Sequence, residues 1–383
     1  MSKYARILDE IPPSGIRKFF DLVLNSKGVI SLGVGEPDFS TPWHIIEKTL
    51  FSLERGETSY TSNWGLMELR EEIAKYLKNR FNTEYNPANE ILVTNGVSEG
   101  LDIAFRGILN PGDEVVIPEP CYVSYAPTVK LAGGIPVPID TSKTGFKVTV
   151  DQIKEKITSK TKAILLSYPS NPTGAALSMD EGKELVEYLK TQDLWIFSDE
   201  IYTELTYDQD IFSFAFFPEI KDKLVLFNGF SKAYAMTGWR IGYICAPAEL
   251  MGYILKIHQY TALCAPIMSQ RAAVEALKNG KEEMEKMKAS YNQRRRFVYN
   301  RLVEMGFEVH EPKGAFYIFP SVKKFGLSDE EFATRLLHEY KVAVVPGNSF
   351  IGNSHDYIRC CYATDMKSLK EAMERIGKFI TSL

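Results

Sequence analysis

Five short runs between residues 91 and 227 carry apolar side chains on both faces, and this pattern constrains the fold more than any other feature. They are Ile91-Leu92-Val93-Thr94, Glu114-Val115-Val116-Ile117, Ala163-Ile164-Leu165-Leu166, Leu194-Trp195-Ile196-Phe197 and Leu224-Val225-Leu226-Phe227. A strand buried on both sides belongs in a parallel sheet covered by helices, because one-sided sheets alternate apolar with polar residues. Helix-like segments lie between the runs. The one from Ser178 to Thr191 opens on a Ser-x-x-Glu capping box, Ser178 with Glu181. The pattern predicts an α/β fold with a mostly parallel sheet sandwiched by helices.

Beyond residue 281 the character changes. A charged helical stretch (Glu282 to Leu302) precedes strand-like Ala315-Phe316-Tyr317-Ile318-Phe319 and Val342-Ala343-Val344-Val345, then a terminal helix from Met366. A large α/β domain over 45–280 is expected, with a smaller α+β domain built from 1–44 and 281–383 that includes an N-terminal arm.

With 383 residues and a net charge of −4, the chain carries no electrostatic footprint for nucleic acid or an anionic membrane. The dense basic cluster Arg294-Arg295-Arg296 sits in a helical pattern and reads as a solvated face. The five cysteines are odd in number and include no Cys-x-x-Cys pair, which argues against a zinc site or a disulfide framework. No apolar run approaches membrane-spanning length, and the N-terminus lacks the apolar stretch of a signal peptide. A cytoplasmic protein is expected.

Ligands of open parallel sheets bind at the carboxyl ends of the strands, and the residues just after each run are polar. Asn95-Gly96-Val97-Ser98 feeds a helix expected near Glu99, an arrangement in which free N–H groups and the helix dipole favour an anion. Pro118-Glu119-Pro120-Cys121-Tyr122 places a ring at the same edge. Ser170-Asn171-Pro172 holds an amide in an extended turn, since proline keeps Asn171 out of the helical region. Asp199 and Tyr202 follow the fourth run. Gly229, Ser231, Lys232 and Arg240 follow the fifth. Each has an ordinary structural explanation alone, as core, connector or ion pair; their conjunction does not. A nicotinamide site would require Gly-x-Gly-x-x-Gly with an acidic residue about 20 positions on, and no such turn occurs.

The strings NPTG (171–174), SDEIY (198–202) and SKAYAMTGWRIGY (231–243), with LGVGEPDF (32–39) and YIRCCYAT (357–364), occur in one order along nearly the whole chain. In these the chain resembles the pyridoxal-phosphate-dependent aminotransferases of fold type I, class I/II, the aspartate and aromatic aminotransferase-like enzymes. The resemblance implies a pyridoxal 5′-phosphate cofactor, with small-molecule amino acids and 2-oxo acids as substrates in a ping-pong transamination through pyridoxamine phosphate. Lys232 is then the residue that forms the Schiff base and carries the proton between the substrate α-carbon and the cofactor. That role needs an amine that can become neutral. Asp199 faces the pyridine nitrogen, where an opposite charge at ~4 Å is worth roughly 4 kcal/mol at an effective dielectric of ~20. Asn171 and Tyr202 bond the phenolic oxygen, and Tyr122 stacks on the ring. Arg240, Ser98 and the Gly96–Val97 backbone hold the phosphate. Arg359, with Gly35 and Asn171 close by, takes the substrate α-carboxylate. Tyr60 reaches the phosphate of a neighbouring subunit, so a homodimer with shared sites is implied. Cis peptides at Glu119–Pro120 and Asn171–Pro172 are implied too.

One position departs from the family. A serine that often joins the phosphate site three residues before the lysine is Gly229 here, and Ser231 is not assumed to replace it. Two other functions are alternatives, and the motifs do not exclude the first. A carbon–sulfur β-lyase shares the cofactor apparatus but releases ammonia and pyruvate continuously. A pyridoxal-phosphate-sensing regulator needs a DNA-binding segment for which residues 1 to about 30 are too short. For the donor, Phe19, Phe20, Tyr60, Trp64 and Tyr122 suggest aromatic side chains, and Arg17 or Lys18 an acidic one, with 2-oxoglutarate as acceptor.

Overall fold

A computed structural model describes residues 4–13, 15, 28–350 and 354–383. The strands are β1 (Ile30–Ser31), β2 (Ile91–Thr94), β3 (Glu114–Glu119), β4 (Ile135–Asp140), β5 (Thr161–Ser167), β6 (Trp195–Asp199), β7 (Leu224–Gly229), β8 (Gly242–Cys245), β9 (Tyr317–Ile318), β10 (Val342–Ala343), β11 (Val345–Pro346) and β12 (Ile358–Cys361). A seven-stranded sheet runs β2-β8-β7-β6-β5-β3-β4. Every contact in it is parallel except those of β8, which is antiparallel to both β2 and β7. The carboxyl ends of β2 through β7 therefore share one edge.

All five apolar runs fall on strands of this sheet, with Leu194 alone just ahead of its strand β6. Their residues are almost wholly buried, as in β2 and β7, where every position is buried. Leu, Ile and Phe side chains buried this way contribute about 1.5–3 kcal/mol each relative to exposure. The helices on the two faces include α1 (Trp43–Glu54), α2 (Met67–Phe81), α3 (Gly96–Ile108), α4 (Tyr125–Leu131), α5 (Val150–Lys156), α6 (Met179–Leu189), α7 (Ala248–Thr261) and α8 (Ile267–Asn279). The Ser178–Glu181 capping box opens α6 as expected. Helix α3 starts at Gly96, three residues before the expected position.

Two strands of the large sheet escape the sequence pattern. In β4, Pro136 and Pro138 interrupt the apolar run; the strand tolerates them because it is an edge. β8 starts at the end of the motif that carries Arg240, and its first residue, Gly242, shortens the apolar run.

Past residue 280, α9 (Lys281–Glu304), α10 (Asp329–Tyr340) and α11 (Met366–Thr381) cover the three-stranded antiparallel sheet β11-β12-β9. β1 joins this region by pairing parallel with β10, Ile30 opposite Val342. The expected strands at 315–319 and 342–345 are shorter than the apolar runs. The second splits at Val344, between the partners of β10 and β11.

The basic cluster on α9 is not a solvated face. Arg295 is completely buried, pairing with Asp208 and with Glu311 at 2.8 Å, and donating to the Pro312 carbonyl at 2.7 Å. Arg294 is buried as well, with its guanidinium 2.7 Å from Asp38. Only Arg296 faces solvent. Helical periodicity turns two of three consecutive residues inward here, and carboxylates from other segments meet them.

Candidate active site

At the carboxyl edge of the large sheet a cleft of about 760 Å³ opens, lined by Gly35, Val97, Ser98, Tyr122, Asn171, Asp199, Tyr202, Lys232, Arg240 and Arg359. Residues spread over more than 320 positions of sequence are thus brought to one wall-lined space.

Lys232 follows β7. Its Nζ donates to the Gly35 carbonyl at 2.8 Å, and burial brings its pKa down to about 8 against the pull of Glu36 and Cys361. Asp199 ends β6. Burial lifts its carboxyl to about 6, while hydrogen bonds from Tyr125 (2.7 Å) and the Ile201 N–H (3.2 Å), and the charge of Lys232, oppose the rise. Tyr202, three residues on, meets the hydroxyl of Tyr317 at 2.8 Å.

Across the cleft, Arg359 projects from β12. It donates to Asn171 Oδ1 at 2.9 Å and to the Gly33 carbonyl at 2.6 Å, and its guanidinium lies 4.5 Å from the Tyr317 ring centre and 4.9 Å from that of Phe350. Its buried Nε has no partner among the described residues. A flat cation held between two rings, with hydrogen-bonding capacity left over, suits a planar anion.

At the other end, the turn into α3 packs on Arg240. Gly96 has φ +78°, a left-handed conformation that favours glycine, and a Cβ there would also sit 2.8 Å from the Arg240 Nη2. Arg240 is itself left-handed (φ 51°). Glu99 braces the turn by accepting from the Asn95 side-chain amide at 2.9 Å and contacting His258 Nδ1 at 2.8 Å. Gly229 pairs across the sheet with Gly242, and a Cβ on Gly229 would lie 3.0 Å from both the Gly242 Cα and the Ile241 carbonyl. A serine at 229 would crowd that pair. Ser231 lines the cleft.

The proline turns at the edge are cis at Glu119–Pro120 and Asn171–Pro172, as the resemblance implies, and also at Tyr168–Pro169, which it did not suggest. Tyr122 is half-buried on the cleft wall with its ring 5.6 Å from that of Tyr125. Trp64 is elsewhere, packed against the core cluster around Phe105. Tyr60 is 83% exposed and does not line this chain's cleft. Arg17, Lys18, Phe19 and Phe20 lie outside the described residues. Two site residues escaped the sequence reading: Tyr125, which braces Asp199, and Tyr317, which touches Tyr202 and Arg359. Both are buried aromatics whose sequence signature is that of core.

The family model for aminotransferase class I and II matches residues 27–376. YugH of Bacillus subtilis, named as an aminotransferase with no substrate, is 54% identical over 374 residues, 97% of each chain. An aspartate aminotransferase of Pyrococcus abyssi is 43% identical, again over 97% of each. The crystal structure of an aromatic aminotransferase from Pyrococcus horikoshii superposes with a TM-score of 0.91 at 40% identity, covering 96% of this chain and 99% of that one.

Proposed function

This chain belongs to the class I and II aminotransferases, and we propose that it holds pyridoxal 5′-phosphate through Lys232 and uses the cleft to move an amino group from an L-amino acid to a 2-oxo acid. The observation that carries this reading is the half-buried Lys232 amine in the cleft wall, its Nζ 2.8 Å from the Gly35 carbonyl and its pKa brought down to about 8 by burial. At pH 8 roughly half of such amines are neutral, against on the order of one in 300 at the ordinary lysine value. A lysine that must both bond a carbonyl carbon and take up a proton needs that neutral fraction.

The donor set fits the cofactor end to end. The glycine-lined turn 96–98 and Arg240 form an anion cradle, and the unpartnered Arg359 Nε points to a second anion at the opposite end. Bound there, pyridoxal phosphate supplies the electron sink for charge left when the substrate α-proton departs. Asp199, braced by Tyr125 and the Ile201 N–H, keeps the ring nitrogen protonated. Asn171 and Tyr202 hydrogen-bond the phenolic oxygen, Tyr122 covers the ring face, and Ser98, Val97 and Arg240 hold the phosphate. Arg359 and the Gly35 backbone orient the α-carboxylate so that the α-proton faces Lys232. Borohydride treatment of the holoenzyme should attach the cofactor covalently to Lys232, detected by peptide mass; full attachment in Lys232→Ala would identify another lysine.

The donor is proposed to be aromatic or acidic with 2-oxoglutarate as acceptor, supported by relatives named for aspartate and for aromatic amino acids. We further propose a cytoplasmic homodimer in which Tyr60 serves the neighbour's phosphate. No helix among the described residues is long and apolar enough to cross a membrane. The dimer is supported by the exposed apolar groups Tyr60, Tyr260 and Leu263, carried by two segments that meet where the Asn63 amide donates to the Leu263 carbonyl at 2.8 Å. A division into 45–280 and 1–44 with 281–383 is supported by a core cluster that joins Leu32 to Met287, Phe332 and Ile376, although Tyr202 and Leu205 enter it too.

A further inference from the structure

Tyr317 stands at the junction of three groups in the cleft. Its hydroxyl is 2.8 Å from that of Tyr202 and 3.4 Å from the Gly35 carbonyl, and its ring lies under the Arg359 guanidinium. Only 1% of it is exposed, and burial holds both phenols far above their ordinary range, so each keeps its one proton. The Tyr317 proton has two acceptors in reach. The Gly35 carbonyl is the more distant, and a contact of 3.4 Å is at the outer edge of hydrogen-bond geometry. At 2.8 Å either phenol could donate to the other, but a Tyr202 whose one proton goes to a group bound in the cleft can only accept there, which leaves the donation to Tyr317. The Tyr202 proton then has no protein acceptor and is left to the cleft that Tyr202 lines.

We propose that Tyr317 is a positioning residue: by donating to the Tyr202 oxygen it turns the Tyr202 proton into the cleft and strengthens it as a donor to the phenolic oxygen of bound pyridoxal phosphate. The inference rests on the cofactor reading above. An O–H whose oxygen accepts a hydrogen bond is a better donor, by about 10–30% per bond in condensed phase. A stronger donor draws electron density from the phenolic oxygen, which then holds less firmly the proton it shares with the Lys232 nitrogen. The ionisable groups around that nitrogen are Glu36, Asp199, Arg240, Arg359, Cys361 and the two phenols. Replacing Tyr317 by phenylalanine alters only one phenol and keeps the ring beneath Arg359.

The test is a spectrophotometric pH titration of the holoenzyme, reading the pKa at which the visible band changes. Tyr202→Phe should raise it. Tyr317→Phe should raise it by about 10–30% of that shift, and the double variant should match Tyr202→Phe, because Tyr317 acts through Tyr202. Thermal melts establish that each variant is folded. A wild-type pKa in Tyr317→Phe, no rise in Tyr202→Phe, or additive shifts in the double variant would each overturn the inference. If wild-type protein with added pyridoxal phosphate shows no titrating band, the cofactor reading falls first, and this inference with it.

Discussion

Tyr125 donates its phenolic proton to Asp199 Oδ2 at 2.7 Å, with neither residue more than 4% exposed. Without that bond and the Ile201 N–H, burial alone would drive the carboxyl still higher than about 6. The site thus holds a carboxylate that is ionised at neutral pH and whose charge is little screened.

With pyridoxal phosphate bound as proposed, Asp199 gives a pH-dependent hold on the cofactor. Asp199 is charged above about pH 6 and neutral below it, so the attraction it provides is fully present above that value and lost as pH falls through it. In Asp199→Asn the charge is absent at every pH. The ratio of wild-type to variant affinity for pyridoxal phosphate should therefore be large at pH 7–8 and shrink below pH 6, by at most roughly tenfold per unit. The second ionisation of the phosphate, near 6, affects both proteins and cancels in the ratio. Fluorescence titration of the apoenzymes measures it, and a ratio independent of pH would assign Asp199 a structural role.

Arg359 should act on every substrate alike. Arg359→Ala removes a charge-assisted pair worth roughly 1.5–3 kcal/mol, about 10- to 150-fold in kcat/KM, for amino and oxo acids whatever their side chains. Kinetics across a donor panel would show it. A loss confined to dicarboxylic substrates would move Arg359 to the side-chain end of the cleft.

Much of the fold and of the cleft is legible in the sequence, for identifiable physical reasons. The parallel strands announce themselves because burial on both faces leaves no polar alternation, and the polar residues after them announce the cleft because a sheet edge gathers what its strands end on. β4 is hidden by Pro136 and Pro138, whose cost depends on being an edge, which is a property of topology and not of local sequence. Tyr125 and Tyr317 look like core, and they are core; only the three-dimensional arrangement shows that their hydroxyls end on Asp199 and Tyr202. Arg295 misleads for the same reason, since its partners Asp208 and Glu311 come from elsewhere in the chain.

Arg295 gives the account a stability test away from the chemistry. Arg295→Ala strips the Pro312 carbonyl of its buried donor and leaves two carboxylates without their shared cation, for an expected loss of about 2–4 kcal/mol. The partners keep some contact with water, which places this below the full cost of breaking a buried pair. Arg296→Ala, on the solvent side, should unfold close to wild type. Urea unfolding of both decides; equal stability would return the cluster to the surface.

The dimer proposal is open to complementation. Lys232→Ala and Tyr60→Ala should each be impaired as homodimers. If Tyr60 serves the partner subunit's site, mixing the two under subunit exchange leaves one site per heterodimer with both residues intact. Activity should then exceed that of either parent, approaching half a normal dimer per heterodimer formed. Confirmed heterodimers with no gain would exclude a shared site.

The most direct measurement is a single half-reaction followed by rescue. Holoenzyme mixed with one amino donor in the absence of any oxo acid should yield no more than about one oxo acid per active site and then stop. Adding 2-oxoglutarate should restart turnover, with glutamate formed in step with the donor's oxo acid, and Lys232→Ala should show neither phase. Continuous release of ammonia and pyruvate without an acceptor, or turnover that survives in Lys232→Ala, would contradict amino transfer through this cleft.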